Sequence, residues 1–123
     1  MKKKIKYASL YTDILLGGIY VHDNAFGEYL RHLIKDAGMT QVQFYMALGI
    51  TKPYFYDIIS GKVSPPPPKL QFKSMEILNA DKETCTTFFD LAARGRNEIP
   101  ADVASWMNTH PGVINNIRRS MKE

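Results

Sequence analysis

The stretch TQVQFYMALGITKPYFYDIISG, residues 40–61, predicts two short helices joined by a tight turn. Thr40 and Gly49 bound the first helix, because Thr caps a helix N-terminus well and Gly readily adopts the left-handed conformation that ends one. Thr51 and Gly61 bound the second helix in the same way. A proline falls in its first turn, where a missing N–H costs no hydrogen bond.

A third helix is predicted immediately upstream, in AFGEYLRHLIKDAG, residues 25–38. Its apolar residues recur at the spacing that places them on one face of a helix; they are Phe26, Tyr29, Leu30, Leu33 and Ile34. Phe44 and Phe55 mark the inward faces of the two helices that follow. We therefore expect three short helices around a shared core between residues 25 and 61.

Four consecutive prolines follow in SPPPPKL, residues 64–70. Such a run is either a ligand for an SH3-type groove or a stiff connector that leads into another helix. The connector is the simpler interpretation, since PKLQFKSMEILN follows at once with a new apolar pattern. The predicted apolar residues of that helix are Leu70, Phe72, Met75, Ile77 and Leu78.

Three further helices are predicted downstream, at residues 81–95, 100–109 and 111–121. Asp81 caps the first of them, and Cys85 lies on its apolar side. We expect Cys85 in the core rather than as a nucleophile, because no His lies near it in sequence to act as a base. The predicted fold class is therefore all-α.

Residues 1–24 are the exception to this helical pattern. The sequence ILLGGIYV has Gly17–Gly18 between two apolar triplets, which is the signature of a two-residue hairpin turn. The alternative is a short helix over residues 9–16, ended by Gly17. We favour a short N-terminal arm in the form of a β-hairpin.

The basic excess of the chain is unevenly distributed. The net charge is +4, and residues 25–79 carry six basic against four acidic side chains, whereas residues 80–123 carry six of each. An excess in the first two thirds favours an acidic partner there. The single cysteine and the lack of a long apolar run predict a cytoplasmic protein.

Residues 40–61 resemble the helix-turn-helix of the lambda-repressor-like, or XRE, family of transcriptional regulators. The matching features are Gln41 opening the helix before the turn, Phe44 in the core of that helix, LGI at the turn, and T-x-x-Y-F-x-D-I along the helix after the turn. Gly61–Lys62 followed by prolines is also typical of the family. The family usually has Ala where Tyr45 stands, so we expect either a wider helix crossing or an outward rotation of Tyr45.

The resemblance implies an arm over residues 1–24 and a DNA-binding domain over residues 25–79. The resemblance further implies that residues 80–123 form a C-terminal helical extension packed on the same domain. In such folds the helix after the turn, here residues 51–60, lies in the major groove of DNA. The helix before the turn crosses the DNA backbone. The base-reading positions implied are Thr51, Lys52, Pro53, Tyr56 and Asp57. The expected phosphate contacts are Gln41, Lys62 and, more weakly, Lys69.

The function implied is a sequence-specific regulator of transcription that binds double-stranded DNA as a homodimer, with repression the expected mode. The alternative is an antitoxin or other protein-interaction module that uses the same fold, with DNA binding auxiliary or absent. Catalysis, metals and cofactors are not expected. The histidines at positions 22, 32 and 110 are scattered without metal-ligand spacing, and no phosphate loop or nucleophile elbow occurs.

Overall fold

The computed structural model describes residues 24–122, and every regular element among them is an α-helix. The predicted all-α class is thus confirmed for this part of the chain, whereas the arm predicted for residues 1–24 lies, except for Asn24, outside the described residues. The helices are α1 (Ala25–Asp36), α2 (Gln41–Leu48), α3 (Lys52–Ser60), α4 (Pro68–Ile77), α5 (Lys82–Arg96), α6 (Ala101–Asn108) and α7 (Pro111–Ser120).

Helix α1 lies at the centre and packs against α2, α3 and α5. Its predicted apolar stripe is buried, with Leu33 only partly so. The Phe26 ring packs against Phe88 of α5 with centroids 5.0 Å apart, and Phe44 of α2 lies 6.0 Å from Phe55 of α3. One aromatic core therefore joins the helices on either side of the proline run.

The backbones of α1 and α3 touch where Gly27 meets Ile59. A Cβ atom at Gly27 would overlap the Ile59 carbonyl oxygen and lie 2.7 Å from the Ile59 Cα. Real Cβ atoms do not approach backbone this closely, so only Gly allows the observed crossing. The contact sets how deeply α3 sits against α1.

The predicted inward face of α4 is wrong in part. Met75 is buried, but the other fully buried residues of α4 are Gln71 and Ser74, and Phe72 is exposed. Each of these polar residues donates a hydrogen bond to a nearby carbonyl, Gln71 to Pro66 and Ser74 to Leu70. The Gln71 Oε1 is buried without a hydrogen-bond partner among residues 24–122. The spacing of apolar residues in a sequence cannot predict burial that depends on such hydrogen-bond partners.

The proline run is a connector, as predicted, and it is docked against the domain. Pro65 and Pro66 are buried, and the Pro65 ring lies so close to Gly95 that a Cβ there would be 2.7 Å from it. Arg96 donates a hydrogen bond to the Pro65 carbonyl at 3.0 Å and pairs with both carboxylate oxygens of Glu98. The segment that leaves α3 is thereby fastened to the end of α5.

Gly27→Ala is expected to lower the free energy of unfolding by about 1–3 kcal/mol, because α1 and α3 must move apart to admit the methyl group. Urea unfolding followed by circular dichroism measures the change. Gly112→Ala in α7 is the matched control, since a Cβ there meets no atom within 4 Å. The control should be neutral or stabilising by up to about 1 kcal/mol. Equal stability of Gly27→Ala and wild type would contradict the contact.

The Arg96–Glu98 pair predicts a pH dependence of stability. Arg96 donates to the Glu98 carboxylate and holds its pKa below the ordinary value of 4.5. A lowered folded-state pKa contributes stability above the ordinary pKa, and this contribution is lost as the pH falls through the folded-state value. Glu98→Gln should therefore have a lower urea midpoint than wild type at neutral pH, and the difference should shrink as the pH falls below the ordinary pKa of 4.5.

The control for Glu98→Gln is Glu76→Gln, at an exposed glutamate of α4 that makes the same change in net charge. The two variants are compared with wild type at each pH, so that protonation of the other carboxylates cancels. A Glu98→Gln difference that stays constant from pH 7 to ~pH 3 would exclude the ion pair as its source.

Candidate nucleic-acid interface

Local hydrogen bonds fix both ends of the connection between α2 and α3. Thr40 and Gln43 form a reciprocal capping box at the start of α2, in which the Thr40 Oγ1 accepts from the Gln43 N–H at 3.0 Å. Gly49 ends α2 in the left-handed conformation, with φ of 83°. Thr51 then caps α3 by accepting from the Tyr54 N–H at 3.3 Å. These predicted caps are confirmed.

The two faces of α3 differ sharply in burial. Phe55 and Ile58 are buried, with 0% and 2% of their surface exposed, whereas Tyr56 is 42% exposed. Tyr54 is half-buried between them. Helix α3 is therefore anchored by one face while the other is free to contact a partner.

The five predicted base-reading residues all reach the surface at α3. Thr51, Lys52, Pro53 and Tyr56 are exposed, and Asp57 is half-buried. Thr51 caps the helix, and Lys52, Pro53 and Tyr56 lie in its first two turns. These four residues therefore share the N-terminal end of α3. The Thr51 hydroxyl oxygen accepts one hydrogen bond in its cap, and its O–H can still donate to a partner.

Tyr45 packs inward rather than pointing into solvent. Its ring is half-buried with its centroid 5.4 Å from the Phe55 centroid, and Phe55 in turn contacts Tyr56 edge-on at 5.5 Å. Such tilted and edge-on geometries are the favoured aromatic contacts. A row of rings therefore connects α2 to the exposed Tyr56.

The predicted phosphate ligand Gln41 opens α2 and lines a cleft of ≈ 250 Å³. Two cationic side chains of α1 line the same cleft, Arg31 and Lys35. Sequence reasoning missed both of them, although their spacing places them one helical turn apart near the end of α1. Arg31 is also paired with Glu28 at 2.8 Å.

The remaining predicted phosphate ligands are exposed lysines at two places. Lys62 directly follows the Gly61 cap of α3, and Lys69 lies in the first turn of α4. Lys62 thus adjoins the candidate recognition helix. The structure does not bring Lys69 into the cleft that contains Gln41.

Lys73 is a cation with a structural partner. Its ammonium donates to the Leu48 carbonyl at 3.3 Å, across 25 positions of sequence. That carbonyl is one of the orphan acceptors at the C-terminus of α2, where a cation also meets the negative end of the helix dipole. Lys73 therefore holds the turn before α3, a role that no local pattern indicates.

No group of His, Cys, Asp and Glu in residues 24–122 could hold a metal ion, and no helix in this range is long and apolar enough to cross a bilayer. Cys85 is half-buried, and burial, reinforced by the charges of Asp81 and Asp102, raises the pKa of its thiol. A raised pKa reduces the thiolate fraction, so the predicted assignment to the core fits better than a nucleophile.

Comparisons with protein-family models, with curated proteins and with solved structures gave no significant match.

Lys73→Met should lower the free energy of unfolding by about 0.5–1.5 kcal/mol, because it keeps most of the aliphatic stem but removes the donor to the Leu48 carbonyl. Lys69→Met is the matched control on the same helix. It should stay within about 0.5 kcal/mol of wild type, since Lys69 is exposed in the first turn of α4. Chemical denaturation of the two variants measures both values. Equal effects would contradict the capping role of Lys73.

Proposed function

We propose that this protein is a sequence-specific regulator of transcription with a helix-turn-helix of the lambda-repressor-like type, which binds duplex DNA as a homodimer. The observation that supports this most is the division of α3 into a buried face, with Phe55 and Ile58, and an exposed face of mixed chemistry. A helix anchored in this way can enter the major groove without disturbing the core. We further propose that the protein acts in the cytoplasm as a repressor.

In this proposal the cap and the first two turns of α3 read base edges. Lys52 donates to guanine O6 or N7, and Asp57 accepts from the cytosine N4 amino group. Tyr56 and the Thr51 hydroxyl contact a base edge or a nearby phosphate. Pro53 offers apolar contact, for which the methyl group of thymine is the complementary surface.

The phosphate contacts flank this helix. The free N–H groups at the start of α2, together with Gln41, hold one phosphate, and the nearby Arg31 and Lys35 add positive charge at the same cleft. Lys62 binds a second phosphate beyond the end of α3. Lys73 is assigned no phosphate contact in this proposal, since the partner that the structure gives its ammonium is the Leu48 carbonyl.

Fluorescence anisotropy tests the proposal by measuring the affinity of the protein for two kinds of DNA at about 150 mM salt: duplexes from the region upstream of its own gene, and duplexes of random sequence. The specific duplex should bind ~10³-fold or more tightly than random sequence. Binding no stronger than to random duplex would overturn the sequence-specific function.

Two lysine variants separate base reading from phosphate binding. Lys52→Ala should relax the preference for one guanine, at a cost of about 1–3 kcal/mol at that position. Lys62→Ala should weaken binding to every duplex alike and reduce the slope of log affinity against log salt by about 0.9. Lys82→Ala, at an exposed lysine that begins α5, is the control and should leave both quantities unchanged. If Lys62→Ala behaves like the control, the assigned phosphate contact is wrong.

A second candidate function is an antitoxin or other protein-interaction module. It is favoured by the apolar side chains exposed on α6 and at the C-terminal end of α7, among them Trp106 and Met121. This function predicts a stable complex with a partner protein and a shallow salt dependence of DNA binding, whereas neutralising six or more phosphates predicts a slope steeper than about −5.

A further inference from the structure

Arg31 of α1 takes part in two groupings of residues. Its Nη2 donates to the Glu28 Oε1 at 2.8 Å, and the same residue lines the cleft of ≈ 250 Å³ that contains Gln41. The pair lies at the surface, with 41% of the Arg31 side chain and 40% of the Glu28 side chain exposed. Exposed ion pairs of this kind contribute little stability, so the guanidinium can exchange one acceptor for another.

The position of Glu28 draws the Arg31 guanidinium away from the cleft. Glu28 precedes Arg31 by three residues and lies in the first turn of α1, so the two side chains are neighbours one turn apart. The other residues that line the cleft all follow Arg31 in sequence, from Ile34 to Gln41. A guanidinium bound to Glu28 is thus turned from the cleft.

The cleft itself suits a singly charged phosphate of the DNA backbone. Arg31 and Lys35 are the cationic residues that line it, none of the described residues that line it is acidic, and Gln41 adds amide N–H donors. Within residues 24–122, Glu28 pairs with Arg31 and lies 3.9 Å from His32, whereas Lys35 takes part in no ion pair. Lys35 is therefore available to an anion in the free protein, and Arg31 becomes so only when it leaves Glu28.

We propose that Glu28 restrains DNA binding by competing with a DNA phosphate for Arg31. When a duplex docks at the start of α2, the Arg31 side chain rotates from Glu28 to the phosphate in the cleft. The pair with Glu28 has one hydrogen bond, whereas Arg can bind the oxygens of a phosphate through two N–H groups at once. This inference rests on the proposed function, which assigns a phosphate to the cleft.

The restraint is modest and independent of base sequence. Breaking an exposed ion pair within one helix corresponds to a loss of affinity of at most about fivefold. A phosphate contact releases condensed counterions from the DNA, which the pair with Glu28 does not, so low salt favours the exchange. Since phosphates carry no sequence information, Glu28 weakens binding to every duplex alike.

Glu28→Gln removes the competing charge and keeps the length of the side chain. It should tighten binding to upstream and random duplexes by about two- to fivefold, measured by fluorescence anisotropy at about 150 mM salt. A carboxylate in the first turn favours α1, so the same substitution should leave stability equal or lower. A purely structural role of Glu28 therefore predicts weaker or unchanged binding and would be excluded by tighter binding.

Arg31→Gln separates the exchange of partners from the mere loss of a negative charge near DNA. Alone it should weaken binding to every duplex and reduce the slope of log affinity against log salt by about 0.9. In the double variant, Glu28→Gln should bring no further gain, because no guanidinium remains to be released. A gain as large as in the wild-type background would overturn the inference.

Glu76→Gln is the matched control, at an exposed glutamate of α4 that makes the same change in net charge. It should change the affinity by less than about 1.5-fold, since salt screens charges that lie far from the bound phosphate. Equal gains from Glu28→Gln and Glu76→Gln would also overturn the inference, because both would then report net charge.

The two kinds of duplex distinguish failure of this inference from failure of the proposed function. If Glu28→Gln tightens binding to both duplexes only when Arg31 is present, yet neither duplex is preferred, the restraint stands and sequence-specific regulation fails. If wild type prefers the upstream duplex but Glu28→Gln brings no gain, regulation stands and the restraint fails. A chain that binds neither duplex overturns both.

Discussion

The contact between Gly27 of α1 and the Ile59 backbone of α3 is the constraint on which the exposed surface depends. It lets α3 lie directly against the central helix, so that Phe55 and Ile58 enter the core and Tyr56 is turned outward. A larger residue at position 27 would have to displace the backbone of α3 at Ile59. The placement of the candidate DNA-reading residues on α3 thus depends on position 27 being a glycine, which has no side-chain carbon to hold α1 and α3 apart.

A second set of contacts ties this helix to the rest of the chain. The carbonyls of the buried prolines that follow α3 accept hydrogen bonds from Gln71 and Arg96. Arg96 also pairs with Glu98, which lies just before α6. Proline restricts the backbone and leaves its carbonyl available, which suits a rigid segment held by side-chain donors. These hydrogen bonds link the segment that leaves α3 to α4 and to the end of α5.

The roles of the basic residues depend on their neighbours more than on their type. Lys73 and Lys62 are alike in the sequence, but Lys73 stabilises the end of α2 while Lys62 lies free beside the end of α3. Arg31 and Lys35 acquire a candidate role only because the start of α2 folds back to their side of α1. Charge alone could predict an acidic partner but not these assignments.

The sequence by itself determined the helix boundaries near the turn and the inward face of α3. Thr40, Gly49 and Thr51 act on groups a few residues away, so a short window contains the whole interaction. Only the tertiary structure decided the polar core face of α4, the cleft at Gln41 and the capping role of Lys73. Those features join groups distant in sequence, and a hydrogen bond that spans 25 positions leaves no periodic signal in the chain.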